Sequence, residues 1–208
     1  MLNIAVLVSG GGTNLQALLD AQDAGALAHG RVACVIASRA DAYALERARR
    51  HSVPARVVER KKYADAEAFD HALRAELDAC HADLVVLAGF LSILGNEVLR
   101  AYRGKILNVH PALIPSFCGP GFYGLRVHEA ALRKGVKVTG ATVHFVSEVV
   151  DGGEIVLQQA VPVEEGDTPE TLQRRVMEQA EWKLLPRAAE LFCAGRLLVR
   201  DGRVKILP

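Results

Sequence analysis

An asparagine and a histidine stand two residues apart in Asn108-Val109-His110-Pro111, and Asp151-Gly152-Gly153 follows further along the chain. An apolar stretch leads into the pair, and Pro111 and Pro115 come after it. That is the pattern of a short buried strand ending in a rigid loop. Side chains at i and i+2 leave a strand on the same face. A primary amide and a titratable imidazole are thereby aimed into one small volume at the carboxyl end of a strand, where open α/β sheets place their ligands.

Those groups suit acyl or formyl transfer to an amine. Asn108 can donate an amide N–H to an oxyanion. His110, with a reference pKa of about 6.5, can move protons at neutral pH. A carboxylate beside it, Asp151, would raise that pKa and help position the transferring proton. No G-x-S-x-G or comparable context marks a Ser or Cys nucleophile, so direct transfer without a covalent intermediate is expected. Each residue also has a plain reading: a lone His at a strand end as a structural hydrogen bonder, Asn108 and Asp151 as turn formers.

A second site is signalled by Ser9-Gly10-Gly11-Gly12-Thr13-Asn14, between an apolar strand and a helical pattern. Glycines there let backbone N–H groups face an anion at a helix N-terminus. Thr13 or Asn14 can cap the helix or donate to a phosphate oxygen. A bare tight turn is the simpler reading, yet three glycines exceed what a turn needs. A dinucleotide fingerprint would need glycine where Leu15 stands, and no acidic residue closes the second strand, which ends in Ser38-Arg39. Arg39 keeps an NADP-dependent or non-catalytic nucleotide-binding protein as the alternative from a different class.

The elements that must position these groups alternate. Strand patterns over residues 2–8, 31–37, 55–58, 83–88 and 105–109 interleave with helical patterns over 13–22, 42–50 and 64–80. This predicts an α/β fold with a doubly wound, Rossmann-like, mostly parallel sheet. Two long strands, 136–146 and 154–163, flank the glycine-rich connection and predict an antiparallel C-terminal extension. A helix capped by Asp167 or Thr168, with Pro169 in its first turn, is expected to run to about Cys193 before a small hairpin. One domain over 1–208 is expected, with a phosphate-binding half at 1–109 and the loop, long strands and last helix at 110–208.

Composition narrows the function classes. The 208 residues are half hydrophobic and carry a net charge of +1, which disfavours a nucleic-acid partner. The four cysteines are scattered without metal-ligand spacing, so reduced thiols and no metal are expected. The chain opens directly in a strand and holds no membrane-length apolar run, so a cytoplasmic protein is expected.

Segments 9–15 (SGGGTNL), 87–94 (LAGFLSIL), 108–115 (NVHPALIP), 139–146 (TGATVHFV) and 151–153 (DGG), in that order, resemble the folate-dependent phosphoribosylglycinamide formyltransferase family of purine synthesis. The resemblance covers essentially the whole chain. It implies transfer of the formyl group of 10-formyltetrahydrofolate, a co-substrate, to the amine of 5′-phosphoribosylglycinamide. Asn108, His110 and Asp151 would be catalytic, with His110 the proton donor. Gly12, Thr13 and Asn14 would hold the substrate phosphate. Leu91, Ser92, Ile93 and Leu94 would line the pterin pocket with Asn108, though Ile93 and Leu94 also read as core. Glu181 would meet the ribonucleotide, with Glu178 competing because the spacing from Arg175 is one residue longer than in the family pattern. His144 would lie nearby in a structural role.

Three departures accompany the resemblance. Ser92 stands where many relatives carry Arg. Asp65-Ala66-Glu67 stands where some carry an Arg for the folate tail, leaving Arg60, Lys61 or Lys62 as substitutes. The loop over 116–125 (SFCGPGFYGL) is long, and reads either as a flap over the co-substrate or as ordinary surface. Small-molecule substrates are the expected partners, in a monomer or homodimer. A formyltetrahydrofolate hydrolase is the alternative inside the family, and it normally carries an extra N-terminal domain.

Overall fold

The computed structural model describes residues 1–208. Its first half winds strand to helix: β1 (Leu2–Val8), α1 (Thr13–Asp23), β2 (Gly30–Ala37), α2 (Ala44–Arg50), β3 (Ala55–Val57), α3 (Ala66–Ala79), β4 (Leu84–Leu87), α4 (Asn96–Ala101) and β5 (Ile106–His110). Then come α5 (Leu125–Lys134), β6 (Val138–Phe145), β7 (Ile155–Pro162), α6 (Pro169–Val176), α7 (Trp182–Cys193) and the hairpin of β8 (Leu197–Arg200) and β9 (Arg203–Ile206). The seven-stranded sheet has the order β3-β2-β1-β4-β5-β6-β7. The first five strands in that order are parallel, and β6 and β7 join antiparallel. The expected α/β sheet with an antiparallel extension is what forms.

The apolar run over residues 4–8 of β1 follows from burial on both faces. Ile4, Val6 and Val8 enter one apolar layer with Leu15, Leu18 and Leu19 of α1 and Leu184, Leu185 and Ala188 of α7. Ala5 and Leu7 enter the other, with Phe69, Leu73 and Leu77 of α3 and Val98 of α4. Asp65 caps α3 by accepting from the Ala68 N–H at 2.8 Å. Thr168 caps α6 in a reciprocal pair with Thr171, behind Pro169.

Four expectations are corrected. Neither Thr13 nor Asn14 caps α1; Gly12 does, with φ of 72° and no side-chain bond. A Cβ there would sit 2.6 Å from Ala44 Cβ, so only glycine fits. The helix over 169–193 is not uniform: a π turn at Met177–Glu181 separates α6 from α7. The short helix α4 and the helix α5 occupy stretches to which the sequence pattern assigned no element. Finally, Cys34 and Cys80 form a disulfide across 46 residues, their Cα atoms 6.2 Å apart. Cys34 points to the α3 side of β2, and Cys80 ends α3, so packing helix on sheet brings the sulfurs together. Cys118 and Cys193 remain free thiols.

Candidate active site

The site gathers where the sheet changes direction. Asn108 and His110 leave β5 on one face, as their spacing predicts, and both line a cleft of about 560 Å³. β6 runs antiparallel beside β5, which sets His144 directly opposite Asn108. The connection after β6 brings Asp151 to the same wall. Asp151 has φ of 55°, and a Cβ on the nearby Gly153 would collide with the Phe145 carbonyl oxygen. The turn thus holds its carboxylate in a backbone conformation that costs a non-glycine residue of order 1 kcal/mol or more.

Hydrogen-bond partners fix the tautomers, because a carbonyl oxygen only accepts. His110 Nε2 lies 2.8 Å from the Phe117 carbonyl oxygen, so Nε2 carries the proton and Nδ1 keeps its lone pair. Nδ1 faces Asp151 Oδ2 at 3.7 Å. His144 Nδ1 donates to the Phe145 carbonyl at 2.8 Å, leaving Nε2 to accept from the Asn108 amide at 3.1 Å. His144 therefore orients the amide, and one Asn108 N–H stays available to the cleft. His144 Nε2 is 3.6 Å from Asp151 Oδ1.

Electrostatics departs from the sequence expectation at His110. The Asp151 charge does raise its pKa, as does the Phe117 carbonyl, but burial is the larger effect and the net shift is downward. His110 is 4% exposed and is neutral at rest near pH 7. Burial pulls the Asp151 carboxyl upward, yet the neighbouring His144 imidazole and the hydrogen bond from the Gly119 N–H outweigh it and hold the group below its ordinary range. Asp151 is thus an anion facing a neutral imidazole.

The long loop over 116–124 belongs to this site. Its Phe117 carbonyl accepts the hydrogen bond from His110 Nε2, and its Gly119 N–H donates to Asp151 Oδ2 at 2.8 Å. Phe122 and Tyr123 of the same loop line the cleft. Across from them stand Leu91, Ser92, Ile93 and Leu94, all four in the lining. Leu91 and Ile93 are 63% and 82% exposed, so apolar surface is presented to solvent there; Leu94 is core at 7%. Asp70 of α3 anchors the far end of this segment, accepting from the N–H groups of Gly95 and Glu97 at 2.8 Å each. That cap was not legible in the sequence.

The glycine loop opens beside the cleft rather than into it. Ser9 ties the two together: its N–H donates to the Gly89 carbonyl at 3.1 Å, and its Oγ accepts from the Leu91 N–H at 2.8 Å. No side chain caps the first turn of α1 and no acidic residue occupies it, which leaves its N–H groups for an anion. Asn14 turns inward from that turn and donates to Glu181 Oε2 at 2.6 Å. Asn14 Oδ1 is buried without a partner. Burial pushes the Glu181 carboxyl up to about 7, against the opposing Asn14 hydrogen bond. Between the two candidates on the late helix, the π turn aims Glu181 inward and leaves Glu178 exposed. Arg39, the residue on which an NADP reading depends, is engaged by Asp41 at 2.9 and 2.7 Å.

Comparison with known proteins agrees with this architecture. Residues 2–189 match the family described as formyl transferase. The chain is 41% identical to phosphoribosylglycinamide formyltransferase of Haemophilus influenzae, over 97% of this chain and 92% of that protein. It is 45% identical to the bovine trifunctional purine biosynthetic protein adenosine-3, of whose length it spans only 19%. Among solved structures, glycinamide ribonucleotide transformylase 1 from Symbiobacterium toebii superposes with a TM-score of 0.94 at 49% identity, covering 100% of this chain and 95% of that one. A formyltetrahydrofolate deformylase from Pseudomonas syringae superposes at 0.89 with 27% identity, covering 100% of this chain and 66% of that one. With an amide, an imidazole and a carboxylate converging at the end of β5 and a family match spanning most of the sequence, the chain belongs to the formyl transferase family.

Proposed function

We propose that this chain moves the formyl group of 10-formyltetrahydrofolate onto the amine of 5′-phosphoribosylglycinamide. The observation that carries the reading is the shared face of Asn108 and His110 in a cleft walled by Asp151 on one side and Leu91–Leu94 on the other. The folate ring system would lie against Leu91, Ser92, Ile93 and Leu94, with its formyl carbon near Asn108. The phosphate would rest on Gly12, Thr13 and the first turn of α1. Asn14 of that turn would help hold the phosphate, and Glu181, which accepts from Asn14, would meet the rest of the ribonucleotide.

The chemistry then needs no enzyme-bound intermediate. The amine nitrogen bonds to the formyl carbon, and the free Asn108 N–H donates to the oxygen as it becomes anionic. His110 starts neutral, takes at Nδ1 the proton that the attacking amine sheds, and returns it to the departing folate nitrogen. Asp151 stabilises the transient imidazolium across the 3.7 Å gap. Collapse of the tetrahedral adduct breaks the bond between the formyl carbon and that nitrogen.

The test is formyl transfer by the purified chain, followed by mass spectrometry of the ribonucleotide. A gain of one formyl group is expected only when donor and acceptor are both present. Formate released at the same rate without acceptor would make it a hydrolase. Absence of both products would refute the reading.

A further inference from the structure

No cation lines the cleft. Its charged lining groups are the carboxylates of Glu148 and Asp151, with histidines as the only other titratable side chains besides Tyr123. The formyl donor proposed above ends in a glutamate tail with two carboxylates, both ionised at neutral pH. Placing that tail beside fixed carboxylates without a counter-charge is unfavourable. The basic triplet does not supply one: Lys61 and Lys62 pair with Glu59 at 3.8 and 2.8 Å, and Arg60 donates to the Tyr63 carbonyl.

Arg126 differs in three respects. It is exposed, and none of the chain's ion pairs includes it. Its guanidinium lies over the Tyr123 ring, 4.8 Å from the centroid, and Tyr123 is a wall of the cleft. It also sits in the first turn of α5, where no side chain caps the N–H groups and no acidic residue intervenes. The aromatic face holds the planar fork in place. The helix end adds favourable potential for an anion. The loop that carries Tyr123 is itself pinned to His110 and Asp151, so the cation stands in a fixed relation to the reacting centre.

We propose that Arg126, stacked on Tyr123 at the mouth of the cleft, is the docking point for the carboxylate tail of the formyl donor. This rests on the function proposed above. The fork of a guanidinium matches a carboxylate with two parallel hydrogen bonds.

The experiment compares two donors, 10-formyltetrahydrofolate and the methylamide of 10-formyltetrahydropteroate, which lacks the glutamate and carries no carboxylate. The quantity read is the ratio of their kcat/KM values. Arg126→Ala is expected to lower that ratio by about three- to tenfold, as befits an exposed charge pair. Arg133→Ala, which removes the same charge elsewhere on α5, is expected to keep the wild-type ratio. A ratio unchanged within twofold in Arg126→Ala, or an equal fall in Arg133→Ala, would overturn the inference. If the wild-type chain formylates the ribonucleotide from both donors with equal kcat/KM, the inference alone fails. If it uses neither donor, the proposed function fails with it.

Discussion

Replacing His128 by leucine should make the protein less sensitive to acid. His128 lies on α5, is 0% exposed, and neither ring nitrogen has a partner. Burial pushes its pKa from 6.5 down to about 4, with a smaller contribution from His110. The sign follows from linkage: the unfolded chain binds this proton below about 6.5, whereas the folded state resists it until about 4. Above pH 6.5 the histidine adds no pH dependence. Below it, stability is lost progressively, by about 2 kcal/mol at pH 5 and about 3 kcal/mol once both states are protonated. The leucine variant is of similar bulk and removes two unsatisfied buried polar atoms, so it should also be more stable at pH 7.5, by about 1 kcal/mol. Urea unfolding of both proteins at pH 7.5, 6 and 5, followed by circular dichroism, reads the gap between them, in which contributions shared by the two cancel. The gap should widen by about 2 kcal/mol from pH 7.5 to pH 5. A gap constant within about 0.5 kcal/mol would refute the reasoning, because His128 would then titrate alike in both states.

Three further outcomes are expected. His110→Ala should lower turnover by about 10²–10⁴-fold, the range for loss of a proton carrier; steady-state kinetics giving near-full activity would remove it from that role. Asp151→Asn should reduce activity and move the acid limb of the kcat/KM profile to lower pH, since the neighbouring charge that raises His110 is gone; an unmoved limb would count against Asp151 as that neighbour. Thiol titration of the unfolded, unreduced chain should find only the two thiols of Cys118 and Cys193, and reduction should release the other pair. Four reactive thiols before reduction would contradict the Cys34–Cys80 bond.

Much of the architecture was legible because burial on both faces leaves a plain signature. β1 reads as a nearly all-apolar run, and α3 announces itself through Phe69, Leu73 and Leu77 at helical spacing. The convergence of Asn108 and His110 follows from the pleat alone, since residues two apart share a face. What stayed hidden depends on contacts far apart in the chain. The Cys34–Cys80 bond needs helix docked on sheet before the two ends meet. That Asn108 is the hydrogen-bond partner of His144 needs the antiparallel register that sets the two opposite each other. The choice of Glu181 over Glu178 was ambiguous because the spacing from Arg175 is one residue longer than in the family pattern, and it is the wider π turn that aims Glu181 inward. Helix α5 was missed because the glycine-rich loop before it masks the helical pattern from Leu125 onward. The direction of the His110 shift could not be inferred from a neighbouring Asp, because burial outweighs that neighbour.

The order β1-β4-β5 has a consequence for how this protein can vary. The glycine turn proposed to hold the phosphate hangs from the first of these strands, and the imidazole proposed to move the proton from the third. Two interstrand steps of about 4.8 Å separate them, so the span across which the reactants must meet, ~10 Å, is dictated by backbone pairing. Loops on either side are free to lengthen, shorten or change chemistry without stretching that ruler. A change in the long loop before α5 can therefore alter the wall of the cleft while the reach between the two strands stays constant.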